Sequence, residues 1–557
     1  MGETRNVTRR ALLGGVAAAG AASLVRPAAG LADAFGGRSS VSARWVGSLS
    51  GESAPILAPS RFALLGLEWS GPDAASIELR AQAPDGRWSP WVSASVLGHD
   101  PDGQAPRSAL FGEPIWTGAA DRVQLRSNRL VHGLRVHFVG AVSSLGAHSA
   151  AGFPPALPVL DAGPGQPPII ARRAWGQGQA RPAHGPEYGA VELAFVHHTV
   201  NPNGYSADAV PAMLLAIFDY HVQVRGFWDI AYNFMIDSYG RIWEARAGGI
   251  DMPVIGAHAG AYNAQSTGVA VLGDFMNVVP SQAAIGALEQ LLAWKLSLHG
   301  VPAQGHVTVV VDPASAYYTP FAPGAHVSLP RVAGHRDGDS TDCPGNAFYG
   351  QLPSIRPRIA SLAGTLARLT MSPPAAVATA AVPLTVSGRL RTVGSNFQTS
   401  GIAGAPVELQ LLQTTGAGTS AVTIATAITG SDGSWRAQVT LQRDATLRAL
   451  CRQHPASVSG FSQLTVVPAI TLAVGSTAPL RVGGTISPSK RRLVIDVYAP
   501  GHIAGKPVAS ERIAASQGSF TASIPFRRPG EYVLVARSQA DATNGAGASP
   551  PVPVSIP

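Results

Sequence analysis

Apolar residues follow two different rhythms along this chain, and the rhythm changes twice. Before residue 150 the period is two. Ser76-Ile77-Glu78-Leu79-Arg80-Ala81, Val123-Gln124-Leu125-Arg126 and Leu134-Arg135-Val136-His137-Phe138 alternate apolar with polar, as half-buried strands do. Asp85-Gly86 is a hairpin-type turn ahead of Trp88 and Trp91. Residues 40–150 are therefore predicted to form a β-sandwich. The two tryptophans are assigned to its core, since large aromatics fill sandwich cores more often than they form a carbohydrate platform.

Residues 151–168 are rich in Pro, Gly and Ala and read as a linker. From 169 to 369 the pattern turns mixed α/β. Leu193–Thr199 is a short apolar run, as in a strand buried on both faces. Asp208 is the expected cap of a helix with Val210, Met213, Leu214, Ile217, Phe218 and His221 on one stripe. Strands are predicted at Tyr232–Ile236, Arg241–Trp243 and Thr267–Leu272. Ser281 caps a long helix that Gly300 closes, and a third helix runs from Ile355 to Leu366, ending by Leu369. Segments 376–467 and 468–557 return to short strands between Gly/Pro turns. The predicted fold is multidomain: a central α/β domain with a mixed sheet flanked by helices, an N-terminal β-sandwich and two C-terminal Ig-like β domains.

Composition refines this picture. A chain of 557 residues is too long for one core, and 13% charged residues is too few for a largely disordered chain. The net charge of +8 is spread without a Lys/Arg block, which favours an anionic wall polymer over nucleic acid. Arg9-Arg10 in Thr8–Leu13, the apolar run Ala11–Val25 and Ala32-Asp33-Ala34 follow one another as a twin-arginine-type signal peptide would, over residues 1–34. The run is short for a membrane span, so the mature chain is expected to be exported, extracytoplasmic and without an integral membrane segment. Of the two cysteines, Cys451 reads as a buried small hydrophobe. Cys343 lies in a polar Gly/Pro loop and needs another explanation.

That explanation is chemical. His197-His198 on an apolar strand, His335 in Ala333-Gly334-His335-Arg336-Asp337 and Cys343 in Thr341-Asp342-Cys343-Pro344-Gly345 are metal-seeking side chains in unusual places. Two imidazoles and a thiolate suit Zn²⁺, and three protein ligands leave a fourth position for water, as in a catalytic site. Neighbouring strand side chains point to opposite faces, so only one of His197 and His198 reaches the metal. Alternation does not say which.

Arg172-Arg173-Ala174-Trp175-Gly176, Phe195–Thr199, Tyr220-His221, Arg225–Phe234, Gly256-Ala257-His258, Tyr262-Asn263, Gly268–Gly273 and Cys343-Pro344-Gly345 occur in the order of a known family. The chain resembles the zinc-dependent N-acetylmuramoyl-L-alanine amidases, related to phage lysozyme-type amidases and peptidoglycan recognition proteins, over about a third of its length. The resemblance implies an amidase domain at 169–369 with zinc on His197, His335 and Cys343. It implies Tyr232 and Thr341 as catalytic residues, His258 at the rim of the site, and Asn263 and Arg246 on the substrate side. The bond cut would join N-acetylmuramic acid to L-alanine, and the partners would be peptidoglycan and muropeptides. Non-catalytic relatives typically lack the cysteine, so Cys343 favours an enzyme over a peptidoglycan-binding surface protein. Two stretches depart from the family. Glu244–Gly249 matches neither known stem-peptide signature, and Gly305–Pro330 reads as an insertion, either a groove cover or a surface excursion. The sequence offers no defensible general base. Because every candidate lies between Pro168 and Gly345, the fragment 166–369 is expected to fold and act alone.

Overall fold

The computed structural model describes residues 40–557 apart from 71–75, 95, 97, 99–101, 103–108, 141–159, 161–164, 177, 373–374, 394–398, 416–417 and 454–455. The expected signal peptide and most of the expected linker lie outside the described residues. No helix among the described residues is long and apolar enough to cross a membrane. The N-terminal domain comprises β1 (Val41–Glu52), β2 (Ile56–Ser70), β3 (Ile77–Gln82), β4 (Val92–Ser93), β5 (Leu110–Phe111) and β6 (Ile115–Gly140). Long β6 pairs with β1, β2 and β3 along different parts of its length. Alternate residues Ile77, Leu79 and Ala81 point into the core, where they meet Phe62, Leu125, Val136 and Phe138.

The central sheet is mixed. Its strands are β7 (Ile169–Ile170), β8 (Leu193–His198), β9 (Phe234–Ile236), β10 (Ile242–Glu244), β11 (Ser266–Val271) and β14 (Val332–Gly334), in the order β14-β8-β11-β9-β10-β7. Only β9 and β10 pair antiparallel. Helices α1 (Arg173–Gly176) and α2 (Val210–Asp219) precede β9. A cap at Ala209 replaces the one expected at Asp208, which lies in a 3₁₀ turn. Helix α3 (Gln282–Leu298) starts where Ser281 accepts the Ala284 N–H. Ala194 and Val196 of β8 pack into the core with α3, whereas Leu193 and Phe195 pack with Tyr262 on the opposite face. The insertion is a hairpin, β12 (His306–Val310) and β13 (His326–Pro330), whose Val309 and Leu329 seal that second face.

After α4 (Asn346–Tyr349), helix α5 (Leu352–Ala363) stops at Gly364, whose φ of 61° suits a residue without Cβ. The chain does not stay helical to Leu366. Leu366–Ser372 is strand β15, paired antiparallel with Pro383–Val393. Residues beyond form further β-sheets around two cores, one containing Trp435, Leu447 and Cys451, the other Ile495, Phe520 and Leu534. Leu450 and Val458 also join the central core beside α3. Arg448, almost fully buried, donates to Asp251 (2.6 Å) and touches the Met252 sulfur (2.9 Å).

Candidate metal centre

The folded sheet decides what the sequence left open. His197 shares the Phe195 face of β8, and His198 shares the α3 face, where its Nδ1 accepts the Phe275 N–H (3.3 Å). His335 leaves the end of β14 in a 3₁₀ turn that Asp337 closes by accepting the Gly334 N–H. The loop then folds back, with Arg336 N–H on the Cys343 carbonyl (3.0 Å). The result gathers His197, His335 and Cys343, all buried, with one ligand atom of each within 4.8 Å of the others.

Each of these groups is steered from behind. His197 Nε2 lies 3.2 Å from His258 Nδ1, which leaves Nδ1 on the Cys343 side, 3.7 Å from Sγ. His335 Nε2 meets Asp339 Oδ2 at 3.1 Å. Cys343 Sγ accepts the His198 N–H at 3.4 Å, and the Cys343 N–H donates to Thr341 Oγ1 at 3.2 Å. Burial pushes the Cys343 thiol well above its usual range, aided by the charge of Glu113. A buried cluster of two imidazoles and a thiol fits a cation that favours the thiolate: their chemistry and spacing suit Zn²⁺. Tyr232 packs 5.2 Å from the His197 ring, and burial holds its phenol protonated, so it donates.

The remaining candidates serve other positions than the sequence suggested. His258 is not at a rim: it is fully buried behind His197, in a space that Gly256 and Gly268 leave open by having no Cβ. Asn263 accepts the His258 and Ala259 N–H groups and so braces that loop rather than lining a groove. Arg246 is buried, donates to the Ile230 carbonyl and pairs with Asp102 of the N-terminal domain.

That domain reaches the centre at several points. A Cβ on Gly98 would lie 3.3 Å from both His335 and Thr341. Asp102 also accepts the Trp228 N–H, and Trp116 N–H donates to Asn201, just beyond β8. Tyr220 donates to the Gly112 carbonyl and fits over Gly66, where a methyl group would overlap its ring. Between these contacts lies Glu113, 5% exposed, which sequence reasoning missed; it sits in another domain with no local motif around it. Trp88 and Trp91 are not core residues. They are half-buried on the sheet face, with Arg80 over both rings and Arg126 over Trp91.

Residues 187–346, which hold the whole cluster, match the family model described as N-acetylmuramoyl-L-alanine amidase. The central domain belongs to this amidase family. Residues 39–151 match a second model, Rv3811 N-terminal galactose-binding domain-like. Peptidoglycan-recognition protein 1 of Holotrichia diomphalia is 33% identical over 132 residues, covering 24% of this chain and 64% of that protein. An N-acetylmuramoyl-L-alanine amidase of Sus scrofa is 27% identical over 190 residues, 34% of this chain and 27% of its own length. Among solved structures, Drosophila PGRP-LB is similar at 25% identity with a TM-score of 0.26, covering 33% of this chain and 92% of that one. The chain thus spans less than two thirds of the length of the Holotrichia and Sus relatives.

Proposed function

We propose that this chain is an exported, zinc-dependent N-acetylmuramoyl-L-alanine amidase that cleaves peptidoglycan between N-acetylmuramic acid and L-alanine. The observation that carries this reading is the buried His197–His335–Cys343 cluster with the Tyr232 phenol beside it. His197 Nδ1, His335 and Cys343 Sγ would hold Zn²⁺, which when bound polarises a carbonyl and acidifies water. His258 and Asp339 fix the ring orientations of the two histidines from behind. Tyr232 and the Thr341 hydroxyl would donate to the oxygen that gains charge as the amide carbon turns tetrahedral.

Metal analysis of the purified chain should give about one zinc per molecule. Cys343→Ser and His335→Ala should each lose most of it. A digest of defined peptidoglycan, read by mass spectrometry, should release stem peptides with a free alanine amine. Full zinc in both variants, or intact lactyl–alanine bonds after exhaustive digestion by the metal-loaded wild type, contradicts the proposal. In the second case the chain is a peptidoglycan-binding protein without turnover.

A further inference from the structure

An amide hydrolase must take a proton from water and deliver one to a leaving amine. Among the described residues, the acidic side chains of the central domain near the metal ligands hold other positions. Asp337 accepts from Gly334 N–H and from the Tyr349 hydroxyl. Asp339 puts Oδ2 behind His335, on Nε2, while its Oδ1, buried without a partner among the described residues, lies against Gly260. Asp229 is held by Arg172 and by the Ile230 and Ala247 N–H groups. Asp342 points to solvent.

The N-terminal domain supplies the missing group. Glu113 follows β5 in a segment pinned at both ends: the Gly112 carbonyl accepts from Tyr220, and the Trp116 N–H donates to Asn201. Tyr220 precedes His221, whose ring lies 6.0 Å from that of Tyr232, and Asn201 follows the strand that carries His197. Glu113 is thereby fixed between the two elements that build the site. Its Oε2 is buried with no hydrogen-bond partner among the described residues, an uncommon state for a buried carboxylate oxygen. Burial raises the Tyr232 phenol and the Cys343 thiol, and an ionised Glu113 carboxylate adds to both shifts. Arg225, buried and stacked on Phe111 at 3.9 Å, supplies the compensating cation.

We propose that Glu113 is a catalytic residue of this metal centre, the carboxylate that carries the proton during amide hydrolysis. The assignment rests on the amidase reading above. As the water oxygen bonds to the lactyl carbonyl carbon, the carbonyl π pair moves to its oxygen and one water proton passes to the Glu113 carboxylate. When the C–N bond breaks, the electron pair on the oxygen re-forms the carbonyl. The alanine nitrogen keeps the C–N pair and takes the proton back from Glu113. One water is consumed, and a lactyl carboxylic acid and a free amine result. Burial pushes the Glu113 carboxyl up to about 8 while Arg225 draws it back, which keeps the group near the pH at which both transfers are efficient. The active site is then completed by two domains.

The test uses the full-length, zinc-loaded chain and two substrates: N-acetylmuramoyl-L-alanyl-D-isoglutamine and the 4-nitroanilide of N-acetylmuramic acid, whose leaving group needs little protonation. Glu113→Gln should keep its zinc and circular dichroism spectrum. It should lose roughly 10²–10⁴-fold in kcat on the alanyl substrate and no more than that on the anilide, which still needs the first proton transfer. Glu113→Asp, which keeps the carboxyl but withdraws it by one methylene, should fall between, and replaces the Gln variant if that does not fold. Wild-type rates in Glu113→Gln on both substrates, or a gain in rate from unblocking the site, each overturn the assignment while leaving the amidase reading intact. If the wild type cleaves neither substrate, both fall.

Discussion

Tyr232 shows how a residue's role depends on what surrounds it. Burial, reinforced by the nearby charges of Glu113 and Cys343, keeps the phenol protonated well beyond its usual range. It can therefore donate to a developing oxyanion. Tyr232→Phe removes one donor without opening a cavity, so zinc content and melting temperature should hold while kcat falls about a hundredfold. Unchanged turnover would reduce Tyr232 to packing. At this scale the sequence was readable where chemistry is local. His335 and Cys343 share one loop, and their types announce a metal. The choice between His197 and His198 needed the sheet, because it depends on which face Phe195 shares. Glu113 was illegible: it lies 84 positions before His197 in Phe-Gly-Glu-Pro, and only tertiary packing brings it to the site. Trp88 and Trp91 were misread because the arginines that cover them come from neighbouring strands.

Among the elements, β8 and β11 were legible as apolar runs because both faces of the central sheet are covered. What could not be read is the close approach that β11 permits. Gly268 stands opposite Phe195 in the β8 register, and a methyl group there would overlap the His258 ring. Gly268→Ala should push His258 off His197 and weaken zinc affinity by roughly 10–100-fold, the usual cost of losing an orienting partner. A competition titration with a chromogenic chelator measures this, and wild-type affinity would mean His258 does not orient the ligand. The turn after α2 is likewise invisible in sequence. Tyr220–Arg225 widens into a π-helix, a form often found at functional sites, which turns Tyr220 to the N-terminal domain and His221 toward Tyr232. The misassigned end of α5 has a simple cause: Leu366 and Leu369 suit either a helical stripe or a strand, and Gly364 decides for the strand.

For the whole molecule, the fragment 166–369 no longer looks self-sufficient. Its N-terminal cut removes Glu113 and the cover over Arg246. Its C-terminal cut splits β15 from its partner and strips Leu450 and Val458 from the central core. Arg448 makes the same junction polar as well as apolar: it is 2% exposed, held by Gln410 on its own side and by Asp251 across the boundary. Such a seam has a thermal consequence. Two domains that share buried side chains melt as one cooperative unit, while a neighbour attached by polar contacts can open at its own temperature. Calorimetry should therefore show the central domain and the sheets up to Val467 unfolding in a single transition, with the last domain, tied to them through Asn544, separate. Arg448→Met leaves Asp251 without its buried cation and should split the joint transition in two. Two resolved transitions already present in the wild type would show that the seam transmits no cooperativity, and that the amidase domain unfolds independently of the sheets behind it.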